Sequence, residues 1–492
     1  MSVKGKTVFC AYLLLGAAMA ATGQTRDQNW DKCKADDPDT SIAGCTALIQ
    51  AGQESTIDLA SAYFDRGIAY RDKKEYDLAM QDLDEALKLK PDFAGALNTR
   101  GNVYSDTGET DRAISDYNDA IRLDPSYALA YYNRGNAWSD KKDLDNAIAD
   151  YDQYIKLAPS DPDGFNNRGR AYMRKGEYDR SLEDYQAALR INPNHALAIY
   201  NTGVAEADKK DYAAAIAAYT RYIALKPDDP DAYEGRGNAY RHERQYDEAR
   251  TDYNHALQVK PDYSLAYYYL GVAQEQQGLY DAAIADLNKY VEMAPKDSDG
   301  FAERGLAYYQ KGQFTTAITD YDKALELQPN RAFAFLERGA AHLLAGQTSQ
   351  AVADFELAIG VDPSTTTAVY AALWLQIART RLHQQGNDQI KEVAQKANLT
   401  DWPGPVLSFQ LGKMTNDELL AAAANPDPET HVGRTCEVNF YTGEIALAHQ
   451  QRATALARFR AVRDNCINDY LEYKGALVEL KRLSAASAAP AH

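Results

Sequence analysis

The chain has 492 residues, a formal net charge of −18, and 45 % hydrophobic and 25 % charged residues. This length and apolar content supply a large core. The acidic balance disfavours recruitment to DNA, RNA or an anionic lipid surface and leaves basic or neutral polypeptides as better-matched partners.

Residues 1–20 read as a secretory signal. Lys4 and Lys6 form the charged start, Val8 to Gly16 the apolar stretch, and Ala18, Met19 and Ala20 a small-residue cleavage site. The apolar stretch is too short to span a bilayer, and nothing later approaches ~20 apolar residues, so no integral membrane segment is expected once the signal is removed. The expected product is exported, periplasmic or secreted; an uncleaved anchor is the alternative. Cys10 lies inside the apolar stretch, the wrong setting for a lipid-modified cysteine. The other four cysteines, Cys33, Cys45, Cys436 and Cys466, fall two at each end of the mature chain, which suits an oxidising compartment. Pairing Cys33 with Cys45 and Cys436 with Cys466 closes two short loops; four free buried thiols are the alternative. No Cys-x-x-Cys or clustered His accompanies them, so no metal site is expected. Residues 21–59, with Trp30 and the first cysteine pair, form an expected N-terminal cap.

Nine glycines then recur every 34 residues: Gly67, Gly101, Gly135, Gly169, Gly203, Gly237, Gly271, Gly305 and Gly339. A 34-residue period means stacked helix–turn–helix units, none able to bury its apolar face alone. Such a stack offers a long concave surface rather than a pocket of catalytic side chains. With glycine at position eight, residues 60–365 divide into nine repeats. The first places Tyr63, Gly67, Tyr70, Ala79, Leu83, Ala86 and Pro91 at positions 4, 8, 11, 20, 24, 27 and 32. The sixth repeats this with Tyr233, Gly237, Tyr240, Ala249, Tyr253, Ala256 and Pro261, and the eighth with Phe301, Gly305, Tyr308, Ala317, Tyr321, Ala324 and Pro329. Positions 4, 8 and 11 share one helical face, as do 20, 24 and 27, and Pro at 32 ends the second helix. The pattern resembles the tetratricopeptide repeat. That resemblance implies an all-α, right-handed superhelical solenoid of about nine helix-turn-helix repeats with helical caps.

Position seven is Arg in seven repeats (Arg66, Arg100, Arg134, Arg168, Arg236, Arg304, Arg338), and each of these carries Asp at position 23 (Asp82, Asp116, Asp150, Asp184, Asp252, Asp320, Asp354). These read as ion pairs joining the two helices of a repeat, or as solvated charges worth only ~0–1 kcal/mol. Repeat five has Thr202 and Ala218 instead, and repeat seven has Leu270 beside Asp286. A second period of 68 residues puts Tyr154, Tyr222 and Tyr290 at position 27, followed by Asp-rich turns, whereas even repeats lead into Ala-Leu-Ala-like turns. Duplication of two-repeat blocks accounts for this. The Asp residues fit helix N-caps better than a calcium loop, which needs a longer ligand series.

In the tetratricopeptide family the first helix lines the concave groove through positions 2, 5, 6, 9, 12 and 13. Here these positions hold Asn98 and Asn166 (five), Asn133, Asn167 and Asn201 (six), and Asn102, Asn136 and Asn238 (nine). A side-chain amide is both donor and acceptor and matches a peptide main chain without regard to its sequence. The series resembles the Asn ladder of O-linked N-acetylglucosamine transferases, which grips an extended polypeptide. Tyr132, Tyr200 and Tyr268 at position five offer rings to partner side chains. Solvated helix-surface Asn is the plainer reading. Position five is never Lys, so the dicarboxylate clamp of chaperone-binding members is not implied.

Residues 366–484 read as a helical C-terminal capping region, and 485–492 as a flexible tail. Gly443, Ala455 and Phe459 restore positions 8, 20 and 24 of a diverged repeat. Residues 402–480 resemble the C-terminal part of NlpI-type bacterial envelope adaptors, although the lipidated cysteine is missing. No zinc helix, phosphate-binding loop or nucleophile elbow is present, so neither an enzyme nor a cofactor is expected. The expected function is an exported protein-binding scaffold or adaptor capturing polypeptides in a concave groove. A structural subunit of an envelope or exopolysaccharide-export assembly is the alternative, and a hydrolase with a composite site ranks below it.

Overall fold

The computed structural model describes residues 25–384, 386–466 and 470–488. The signal segment at 1–20 lies outside them, as do residues 489–492. Every regular element among the described residues is a helix, and the chain divides into two compact lobes, Met1–Asp211 and Tyr212–His492.

The first lobe begins with α1 (Arg26–Cys33) and α2 (Pro38–Ala51), a hairpin joined by the Cys33–Cys45 disulfide and packed onto the first repeat. Four helix pairs follow: α3 (Thr56–Asp72) with α4 (Tyr76–Leu89), α5 (Ala94–Asp106) with α6 (Thr110–Leu123), α7 (Ala128–Asp140) with α8 (Leu144–Leu157), and α9 (Pro162–Arg174) with α10 (Tyr178–Ile191). Helix α11 (Ala196–Asp208) closes the lobe. The first helices of successive repeats touch one another, α3 to α5, α5 to α7, α7 to α9 and α9 to α11, and so line the inner side of the stack.

The second lobe begins with α12 (Tyr212–Leu225) and continues with four pairs: α13 (Pro230–His242) with α14 (Tyr246–Val259), α15 (Ser264–Gln276) with α16 (Tyr280–Met293), α17 (Ser298–Lys311) with α18 (Phe314–Leu327), and α19 (Ala332–Leu344) with α20 (Thr348–Val361). Then come α21 (Thr366–Arg381), α22 (Asp388–Lys396), α23 (Gly404–Gln410), α24 (Asn416–Ala423), α25 (Pro428–Ala448), α26 (Arg452–Asn465) and α27 (Leu471–Ala488). Helix α27 runs through residues 485–488, the first part of the tail expected at 485–492.

Close approach explains the glycine register. A Cβ on Gly101 would lie 2.6 Å from the Tyr117 ring, and one on Gly339 2.6 Å from Phe355. In the C-terminal region Gly443 sits against Phe459 in the same way, at 2.7 Å, and Gln450 has positive φ, as do Lys142 and Gly176 at the corresponding place in the repeats.

The Arg–Asp pairs are formed in all seven repeats that carry them. Each guanidinium donates through Nε and Nη2 to both carboxylate oxygens at 2.6–2.9 Å. They are not solvated charges, since the Asp side chains are only 5–8 % exposed. A third bond, from Nη1, reaches back to the preceding repeat, for instance to Asp84 from Arg100 and to Asp152 from Arg168. Lys175 to Asp145 and Lys209 to Asp179, both 2.7 Å, tie neighbouring repeats at their outer corners.

The 68-residue period also has a packing reason. Tyr154 and Tyr290 fill the space over Gly164 and Gly300, where a Cβ would come within 2.6 and 2.5 Å of the rings. Their hydroxyls, like that of Tyr222, donate to Asp161, Asp297 and Asp229 respectively. Those aspartates in turn cap α9, α17 and α13 through the backbone N–H two residues on.

Cys436 and Cys466 are likewise at bonding distance, 1.99 Å, joining α25 to the end of α26. Replacing Cys33 and Cys45 together by Ser is expected to lower stability by about 2–3 kcal/mol through the freed denatured chain. Thermal melting of the oxidised protein and the double variant measures this.

Candidate peptide-binding surface

On the first helix of a repeat, positions 2, 5, 6 and 9 have the i, i+3, i+4, i+7 spacing of a single stripe, and 12 and 13 extend it by a turn. In the first lobe this stripe carries a connected amide network. Asn201 donates to Asn166 Oδ1 at 3.0 Å, Asn166 to Asn167 Oδ1 at 3.1 Å, and Asn167 to the Tyr132 hydroxyl at 2.9 Å and to Asn136 Oδ1 at 3.2 Å. Asn133 donates to Asn98 Oδ1 at 3.0 Å.

The network changes how the site residues are assigned. Asn98 and Asn166 are 4 % and 1 % exposed and serve as ties between repeats, not as contact surface for a partner. Position-nine carbonyls are turned to core tyrosines: Tyr117 donates to Asn102 at 2.8 Å, Tyr151 to Asn136 at 2.7 Å and Tyr253 to Asn238 at 2.8 Å. Buried hydroxyls need acceptors, and an amide on the residue after the glycine supplies them. The half-exposed amides of Asn102, Asn133, Asn136, Asn167 and Asn201 remain along the inner side. Tyr132, also half-buried, packs its ring 4.9 Å from that of Tyr154, and Tyr200 is half-buried at the equivalent place two repeats on.

The far end of the stripe is acidic. Asp72, Asp106, Asp140 and Asp208 occupy position 13 in four of the five repeats and are all exposed, with Arg71 bound to Asp106 at 2.7 Å.

The second lobe differs, because part of its stripe is covered by the chain's own C-terminal helix. Leu471 of α27 packs against the cluster that holds Tyr309, Ala340 and Ala341, as Leu344 also does, and its carbonyl accepts from the Tyr309 hydroxyl at 3.2 Å. Tyr309, Ala340 and Leu344 are stripe positions of repeats eight and nine, so the chain's own end covers them. Gln310 and Glu337 on the same helices are 0 % and 2 % exposed. Helix α27 is built into the fold and is not a removable lid, because Glu472 accepts from Trp374 Nε1 at 3.3 Å and the Tyr441 hydroxyl at 2.7 Å. Tyr268 packs on Tyr290 with centroids 5.0 Å apart, and Asn238 donates to Glu234, whose carboxyl burial pushes up to about 7.

Models of the tetratricopeptide repeat match residues 98–162, 166–230 and 234–298, a related repeat model matches 305–346, and another matches 60–93, together more than half of the chain. The chain belongs to the tetratricopeptide repeat family. Solved structures similar to this tetratricopeptide repeat protein align over part of it. One from Parabacteroides merdae ATCC 43184 is 19 % identical over 48 % of this chain and 93 % of that one, with a TM-score of 0.40. MamA protein is 30 % identical over 34 % and 92 %, with a TM-score of 0.32. YrrB, described as having an unusual peptide-binding site, is 23 % identical over 37 % and 95 %, with a TM-score of 0.33.

Proposed function

We propose that this protein is an exported scaffold or adaptor of the bacterial envelope that captures polypeptide segments on the inner side of its first lobe. The observation that carries this reading is the half-exposed amide row of repeats two to five with its acidic border. An amide row bonds an extended main chain, and the aspartates favour a basic one. Export rests on the signal-like first 20 residues and on the two cysteine pairs at bonding distance. The likeness of residues 402–480 to envelope adaptors is the ground for placing it there.

The test replaces Asn133, Asn167 and Asn201 together by Ala and compares crosslinking pull-downs from periplasmic extract by mass spectrometry. Capture is expected to fall about a hundredfold while the far-ultraviolet circular dichroism stays helical, each of the three lost hydrogen bonds costing about 1 kcal/mol. Undiminished capture by the folded triple variant would sink the reading.

A further inference from the structure

The inner stripe of the first lobe alternates from repeat to repeat. Position 2 is Leu129 in repeat three, Asp163 in repeat four and Leu197 in repeat five. Leu129 and Leu197 are 51 % and 57 % exposed, and neither contributes to a core. One turn on, at i+3, each is followed by a half-buried ring, Tyr132 or Tyr200. The carboxylate of Asp163 between them is 51 % exposed and holds His195 Nε2 at 2.8 Å. Scattered exposed leucines need no explanation. Here, however, the same apolar choice stands at position 2 in alternate repeats from the third to the ninth, and within the second lobe Leu265 and Phe333 repeat it at 41 % and 50 % exposure. Block duplication alone does not keep a half-exposed leucine here, while the intervening repeats hold Asp163, Asp231 and Asp299.

Neighbouring first helices in contact are about 8–10 Å apart, so apolar sites two repeats apart are separated by roughly 20 Å. An extended chain advances about 3.3 Å per residue, and six residues cover that distance. A helical partner is the poorer fit, because its main-chain groups are already paired and cannot use the amides of Asn133, Asn136, Asn167 and Asn201. We propose that the two Leu–Tyr sites and the aspartate between them select an extended, basic segment with two apolar side chains six residues apart and, on the same face between them, a Lys or Arg two or four residues after the first. This rests on the capture reading above and adds its specificity.

The test measures fluorescence anisotropy of labelled synthetic peptides of one composition, differing only in whether two leucines stand six residues apart, with a lysine two residues after the first, or stand three apart. The six-residue spacing is expected to bind about tenfold more tightly. Leu129→Ser with Leu197→Ser should abolish that preference, and Asp163→Asn should weaken binding of the lysine peptide but not of a version with Gln in place of that lysine. All three positions are exposed, so these variants keep the fold. Equal affinity for both spacings, with sensitivity to the Asn triple variant retained, overturns the spacing rule and leaves the capture surface standing. Binding of neither peptide also overturns the rule, and the pull-down then decides the capture reading on its own. A preference that survives the double leucine variant overturns the assignment to these residues.

Discussion

Arg134→Ala is expected to destabilise repeat three and its neighbours by about 3–5 kcal/mol, the cost of leaving one member of a buried pair alone. Arg134 holds Asp150 through two bonds of 2.8 and 2.6 Å, and its Nη1 donates at 2.5 Å to Asn118 of the preceding repeat. Asp150 is 6 % exposed at the side chain, and burial pushes its carboxyl above the ordinary value even with the guanidinium opposite. Desolvation is therefore the larger influence on this carboxylate. Taking away the cation leaves Asp150 to protonate or open the helix pair. Removing both charges should hurt much less: Arg134→Leu with Asp150→Leu is expected to fall within about 1–2 kcal/mol of the parent, since well-packed apolar replacements of buried pairs are often near neutral. Repeat five carries a natural version of that double replacement in Thr202 and Ala218. Because such stacks unfold by nearest-neighbour steps, hydrogen exchange of α7 and α8 is the appropriate readout alongside urea denaturation. Equal losses for the single and double variants would mean that the pair stabilises through packing alone.

The period exposed the scaffold because each repeat solves the same packing problem locally. Gly101 against Tyr117 and Arg100 against Asp116 both lie within one helix pair, so they recur at fixed offsets that a reader of the sequence can count. The bonds between repeats leave a fainter trace. The Nη1 acceptors are Asp84, Asn118, Asp152, Thr220, Asn288 and Asp322, three residue types at one position, and mixed types do not register as a motif. The asparagines were legible as a row but not in their pairing. Whether an amide faces a partner or the next repeat depends on a side chain 35 residues away, as with Asn133 and Asn98 or Asn201 and Asn166. The cover over repeats eight and nine had no sequence signal. Tyr309 and Leu471 are 162 residues apart, and no pattern of residue types announces their contact.

Glu437→Gln is expected to raise stability as pH climbs from about 5 to about 8, giving on the order of 4 kcal/mol above that range by the free-energy equivalent of a pKa shift. Glu437 is 3 % exposed and accepts from Trp402 Nε1 at 2.9 Å and from the Tyr370 hydroxyl at 3.1 Å. Burial, reinforced by the nearby Glu472, pushes its carboxyl up to about 8 from the model-peptide value of 4.5. The sign follows from linkage. In the unfolded chain this carboxyl loses its proton near pH 4.5, whereas the folded protein keeps it until about pH 8, so the unfolded state gains free energy by ionising across that window. The contribution is fully present below the unfolded value and is gone once pH has risen through the folded one. A glutamine is neutral throughout, accepts the Trp402 N–H with its carbonyl and donates to Tyr370 with its amide. The variant's melting temperature should thus decline less than the parent's between pH 5 and 9, with the two converging at the acid end. Parallel curves over that interval would show that Glu437 is ionised and compensated in the native core.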